Sequence, residues 1–202
     1  MYIPPYFVED DPEVLHDLIE QYSFGLLISS FEGRPFATHL PFLLDRKAGP
    51  NGALIGHMAR ANPQGECLDG QEILAVFAGP HAYISPSWYE AENVVPTWNY
   101  VAVHVYGRAR LIHDSDALLP LLAETVRTFE QNLPTPWSLP DDDEFARKLS
   151  AGIVGFHIEI ERLEGKKKLS QNHSAERRSK VIAALEASTQ ADAREIARLM
   201  AE

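Results

Sequence analysis

Four groups of residues in this chain have types and spacings suited to binding chemistry. Gly56-His57-Met58-Ala59-Arg60-Ala61-Asn62-Pro63 lies where apolar alternation stops and the chain must turn. A turn after a strand can aim backbone N–H groups outward, and Arg60 adds a planar cation with five donors, a combination suited to a phosphate. A surface arginine followed by ordinary Asn-Pro turn chemistry is the simpler alternative. Pro96-Thr97-Trp98-Asn99-Tyr100 sets two aromatics and an amide at the start of a strand. They could flank a flat heterocycle, or serve as core or interface residues. Lys166-Lys167-Lys168-Leu169-Ser170-Gln171-Asn172 offers cations and amides for a second phosphate contact or a ring-edge hydrogen bond; a solvated loop is equally open. Thr38-His39-Leu40-Pro41 has a proline within a strand, which marks an edge or bulge. Unpaired backbone groups at such an edge can meet a ligand.

Other chemistries find little support. The eight histidines are spread along the chain, with no helical i, i+4 pairs and no carboxylate spacing of a metal site. Cys67 stands alone, so neither an internal disulfide nor a cysteine-based zinc site is expected. No GxGxxG follows a strand, and P-loop, HExxH and GxSxG patterns are lacking.

The elements that must position these groups read as follows. Asp11-Pro12-Glu13 opens a helix with Val14, Leu15, Leu18 and Ile19 on one face, ending near Tyr22. Strands are expected over 24–30, 36–44, 53–58 and 72–78. A loop over 80–96 carries His81, Tyr83, Ser85, Trp88 and Tyr89. A long strand spans 97–112, with Val101, Val103, Val105, Ala109 and Leu111 on one face and Tyr100, His104, Tyr106, Arg108 and Arg110 on the other. Helices are expected over 114–130 and 141–149, a strand over 153–163, a loop over 165–172, and two closing helices near 175–187 and 190–201. Strands crowd the first half without alternating one-for-one with helices. The expected class is therefore mainly β with helices (α+β), a mostly antiparallel sheet or barrel and not a doubly wound sheet.

Length and charge set the frame. A chain of 202 residues is one domain or one with a small appendage, and 45% hydrophobic with 23% charged residues is ordinary globular usage. No run reaches the ~20 apolar residues of a membrane span, and no leader segment is visible, so the chain reads as cytoplasmic. The net charge is −11. Residues 162–180 hold seven basic and two acidic side chains, a +5 island on a body of −16. Such an acidic body repels nucleic acid, while the island suggests a local anion site or a solvated basic loop.

Five fragments in order resemble the PaiB family: Met1-Tyr2-Ile3-Pro4-Pro5-Tyr6-Phe7, Ala37-Thr38-His39-Leu40-Pro41, the Gly56–Pro63 run, Pro96–Tyr100 and Lys168-Leu169-Ser170-Gln171-Asn172. The likeness extends to about residue 185. It implies an FMN-binding split β-barrel with C-terminal helices, related to pyridoxamine-phosphate-oxidase-like proteins. The barrel would occupy residues 1–165. Residues 166–202 would form a basic loop and helical extension packed on the same domain or on a partner. It also implies a homodimer with flavin sites at the interface, and a negative transcriptional regulator. Carried over by motif, Thr38, His39 and Leu40 would lie beside the isoalloxazine ring. His57, Arg60 and Asn62 would receive the phosphate. Asn99 and Tyr100 would reach the ring from the neighbouring subunit, and Lys168, Ser170 and Gln171 would close the site.

The last two helices superficially resemble a helix-turn-helix, yet Asp192 and Glu195 beside Arg194 and Arg198 make a poor recognition surface. Packing on the barrel or the partner is the expected role, any regulation would be indirect, and direct DNA binding is not expected. Two alternatives are a flavin-dependent oxidoreductase, with Tyr83, Trp88 and Tyr89 walling a substrate pocket, and a haem-binding split barrel with His173 as axial candidate.

Overall fold

The computed structural model describes residues 1–202 apart from 91 and 140–142. Eight strands form one antiparallel sheet: β1 (Val8–Glu9), β2 (Phe24–Phe31), β3 (Arg34–Pro41), β4 (Leu43–Asp45), β5 (Ala53–Ala59), β6 (Glu72–Ile84), β7 (Thr97–Ile112) and β8 (Ile153–Lys168). Their order is β3-β2-β6-β7-β8-β5-β4, with β1 added on β8. The sheet curls until β3 faces β5, where the Pro41 carbonyl lies beside Gly56, but these two strands do not pair. The result is a split barrel.

Alternation explains the barrel wall. Val101, Val103, Val105 and Ala109 of β7, Val154, Phe156, Ile158 and Ile160 of β8, and Ile73, Ala75 and Phe77 of β6 are buried. Inside, Phe42 meets Phe77 and Phe156 edge-to-face, with centroids 5.2 and 5.7 Å apart. Glycine is required where β7 crosses β8: a Cβ at Gly107 would run into the Glu159 carbonyl.

Helices close the barrel. In α1 (Pro12–Gln21), the Asp11 side chain accepts the Glu13 N–H at 2.9 Å and caps the first turn. Arg46 fastens that helix to the end of β4 through Glu13, Asp17 and Glu20. In α2 (Ser115–Glu130), Leu118 fills the space over Gly155. Helix α3 (Asp143–Ala151) leads into β8; the expected start at 141 lies outside the described residues. Helices α4 (Ala175–Glu186) and α5 (Ala191–Ala201) bury Val181, Leu185, Ile196, Ala197 and Met200 in the same core as the strands.

Three segments differ from the sequence reading. The strand expected over 36–44 breaks at Phe42, whose N–H turns to Ser23 O while its ring enters the core. Strand β6 runs on to Ile84 past a register shift between Ala78 and His81, so the first five residues of the expected 80–96 loop are sheet. Strand β8 continues to Lys168 because β7 and β1 both pair with its end. Lys166 there lies against aromatic rings, its Nζ 5.0 Å from the Tyr100 centroid and 5.8 Å from that of Tyr2.

Candidate functional site

The first part of the site is the split itself. Phe42 N–H points from the chain end of β3 toward β2. By the two-residue alternation of an antiparallel ladder, the N–H groups of Ala37 and His39 then face the free edge. Pro35 and Pro41 hold the matching positions on either side and have no N–H. The edge thus offers two amide donors between two prolines. The side chain of Thr38 turns into the barrel with Leu40, while the exposed His39 ring turns outward and stacks on Phe24 at 6.2 Å.

Across the gap, β5 ends in the turn 59–62. Asn62 Oδ1 accepts the Gln64 N–H at 3.0 Å, and Asn62 Nδ2 donates to Thr38 Oγ1 at 3.0 Å. Thr38 donates in turn to Gln64 Oε1 at 2.6 Å. Gln64 is 0% exposed, and its Nε2 reaches Leu27 O and Ser29 Oγ at 3.2 and 2.9 Å. This buried amide holds β2, β3 and the turn together, and no sequence motif marks it. Arg60 stands exposed at the same turn. Its Nε donates to Ala151 O at 2.9 Å, and among the described residues no carboxylate pairs with it. The terminal guanidinium nitrogens and the neighbouring Ala61 N–H have no partner among the described residues. His57 lies half-buried on β5, and burial pushes its imidazole below the ordinary histidine range.

The second part lies at the other end of β8. Ala59 pairs with Ile153, the first residue of β8, whereas Lys168 is the last and pairs with Tyr100. Fifteen residue steps, roughly 50 Å of strand contour, separate the two places. Lys168 Nζ donates to Trp98 O at 2.7 Å and to Thr97 Oγ1; burial first, then the Lys166 charge, lowers its pKa. Asn99 is 0% exposed and bonds Ser170 Oγ at 3.0 Å and Met200 Sδ at 3.4 Å, so its amide joins β7 to α5. Gln171 bridges its own turn, from the Leu169 N–H at 2.7 Å to Lys167 O at 2.5 Å.

Of the aromatics in the 80–98 region, Tyr89 is 2% exposed and packs on His173 at 4.7 Å, and Trp88 is half-buried. Tyr83 and Trp98 are open, at 47% and 53%. Much of the basic island has local partners: Lys166 donates to Tyr2 O at 3.1 Å, Arg178 to Met200 O at 2.6 Å, and Lys180 to Glu90 at 2.8 Å. Arg60, outside the island, is the better anion group. An arginine, an adjacent free N–H and two edge amides fit a phosphate joined to a flat ring with polar edges. Among the described residues no group of metal-ligating side chains occurs, and no helix is long and apolar enough to cross a membrane.

Comparison with known proteins bears on the family and the fold. The profile of a family described as "Putative FMN-binding domain" matches residues 1–162. "Protease synthase and sporulation protein PAI 2" of Bacillus subtilis is 37% identical over 99% of this chain and 96% of its own length. Among solved structures, the flavocytochrome Anf3 from Azotobacter vinelandii superposes with a TM-score of 0.62 at 18% identity, covering 82% of this chain and 72% of that one. An FAD- and heme-binding protein from Mycobacterium smegmatis gives 0.62 at 16%, covering 88% and 79%. At these identities the two structures speak for the fold alone.

Proposed function

This chain belongs to the PaiB-type family of FMN-binding split barrels, and from that premise we propose that it is a homodimeric flavin protein whose regulatory effect is exerted without direct DNA contact. FMN is the cofactor of this family and of this chain. Bound FMN supplies redox chemistry. The chain's own residues bind and orient it. Arg60 and the Ala61 N–H would take the phosphate, with Asn62 and Thr38 fixing the turn beneath them. The edge amides of Ala37 and His39 would serve the polar ring edge beside Leu40. His57, held neutral by burial, would line the cleft and not carry the phosphate charge.

The observation that carries the dimer is the separation along β8. Lys168 and Tyr100 stand at the far end of the strand from Arg60, which speaks against one flavin touching both in one copy. A two-fold partner would present its Tyr100 and Lys168 to this copy's split, and the reverse. Asn99, Ser170 and Gln171 would shape that presented segment.

The regulatory part rests on the relative's name and on the fate of the last two helices. Helix α5 is committed to the core, and Arg198 is paired with Glu195 and Glu202, so no basic recognition face is offered. The test is the visible spectrum of the purified protein with its mass in solution. Flavin bands and a two-copy mass are expected; colourless protein that refuses FMN and sediments as one copy overturns the reading.

A further inference from the structure

We propose that Tyr83 and Trp98 of one copy form an electron-rich wall against the flavin of the other copy. The proposal rests on the dimer reading above and assigns to it a pair of side chains with no task within their own chain. Tyr83 and Trp98 are cross-strand neighbours on β6 and β7, on the stretch where these strands run past the register shift. Their rings meet edge-to-face at 5.9 Å, which fixes both at little further entropic cost. They lie on the outer face with His81 and Tyr100, and about half of each ring is open.

Large exposed aromatics held rigidly side by side mark a contact surface. Exposed Phe24 lies on the outer side of β2 by the strand's alternation, and exposed Tyr2 shares the Lys166 ammonium with Tyr100. Lys168 grips the segment by donating to Trp98 O at 2.7 Å, so the cation and the indole move as one unit. Alternation sends the neighbouring Asn99 inward, which leaves Trp98 no way to bury itself in its own chain. The occupant that fits is a second copy: this segment and the Arg60 turn sit at opposite ends of β8, and a two-fold axis brings the one to the other.

Indole and phenol rings in contact with an excited flavin pass it one electron, which then returns; the flavin loses its emission. Phenylalanine does not. Every chain in the test carries Tyr100→Phe, because the phenol that the dimer reading brings to the same flavin would quench by itself. In that background FMN bound to the dimer is expected to be dark, and FMN bound to Tyr83→Phe/Trp98→Phe, which keeps the ring packing, is expected to regain emission. The decisive sample is a mixed dimer of one Arg60→Glu chain and one Tyr83→Phe/Trp98→Phe chain, purified through two different tags. Its FMN-competent split has Arg60 from the second chain and the Tyr83–Trp98 pair from the first. Dark FMN in the mixed dimer is expected. Bright FMN there, in a sample of two-copy mass, places the wall within the chain and overturns this proposal alone. FMN in the Tyr100→Phe dimer as bright as free FMN, or no gain of emission when Tyr83→Phe/Trp98→Phe is added to it, also overturns it. A single-copy mass overturns it together with the dimer.

Discussion

Asn62 Nδ2 donates to Thr38 Oγ1 at 3.0 Å across the gap where β3 faces β5 without pairing. This bond and the one from Thr38 Oγ1 to Gln64 Oε1 span the split and set its width. Because Asn62 also caps the turn, the position of Arg60 depends on the same contact.

Arg60→Glu is expected to weaken FMN binding by at least about 100-fold, since a charge-assisted contact worth roughly 1.5–3 kcal/mol is lost and a repulsion replaces it. The exposed site leaves the fold unchanged. Fluorescence titration with circular dichroism on the same sample checks both; FMN bound as tightly as by the native protein removes the phosphate assignment.

Gln64→Ala is expected to destabilise the protein by about 2–4 kcal/mol, because Thr38 and Ser29 hydroxyls and the Leu27 carbonyl lose a buried partner. Urea unfolding reads this as a lower midpoint. An unchanged midpoint means that the amide does not hold the split.

Stability is expected to fall on acidification below neutral pH. His57 is lowered by burial, His104 by burial and then the N-terminal charge, and His173 by burial, then Arg177 and Lys168. The folded state binds protons less readily than the unfolded chain, whose histidines titrate near about 6.5. The contribution is full above that value and is lost as pH falls toward the folded pKa values. A Tm series from pH 7.5 to 5 should decline, less steeply in His57→Gln; a flat series contradicts the burial of these rings.

Duplex DNA is expected to show no sequence-specific, salt-sensitive binding to the purified protein, because α5 packs into the core, Arg198 pairs with Glu195 and Glu202, and Arg194 donates to Ser188 O. Anisotropy at physiological salt measures this, and a tight specific complex contradicts it.

Much of the architecture was legible because alternation is a strong signal. Strand β7 runs from Thr97 to Ile112 as its uninterrupted apolar period indicates, and Pro41 marks an edge strand as its missing N–H requires. The end of β8 was not legible. Three lysines read as a solvated loop, yet all three pair with β7, and Lys166 also pairs with β1 and sets its ammonium over the Tyr2 and Tyr100 rings. Nor was Gln64, since a glutamine after Asn-Pro reads as surface and its burial arises only when β2 and β3 close over it. The turn at Arg60 and the edge at Thr38 were visible as separate fragments; the bond that unites them belongs to tertiary packing.

Pro35 and Pro41 bracket the open margin of β3. A foreign strand trying to zip onto that margin would find two usable rungs and a missing one at each end, too few to grow a fibre. A small rigid molecule needs no more than two. The same pair of imino acids therefore keeps the gap vacant for a ligand and closed to runaway self-assembly.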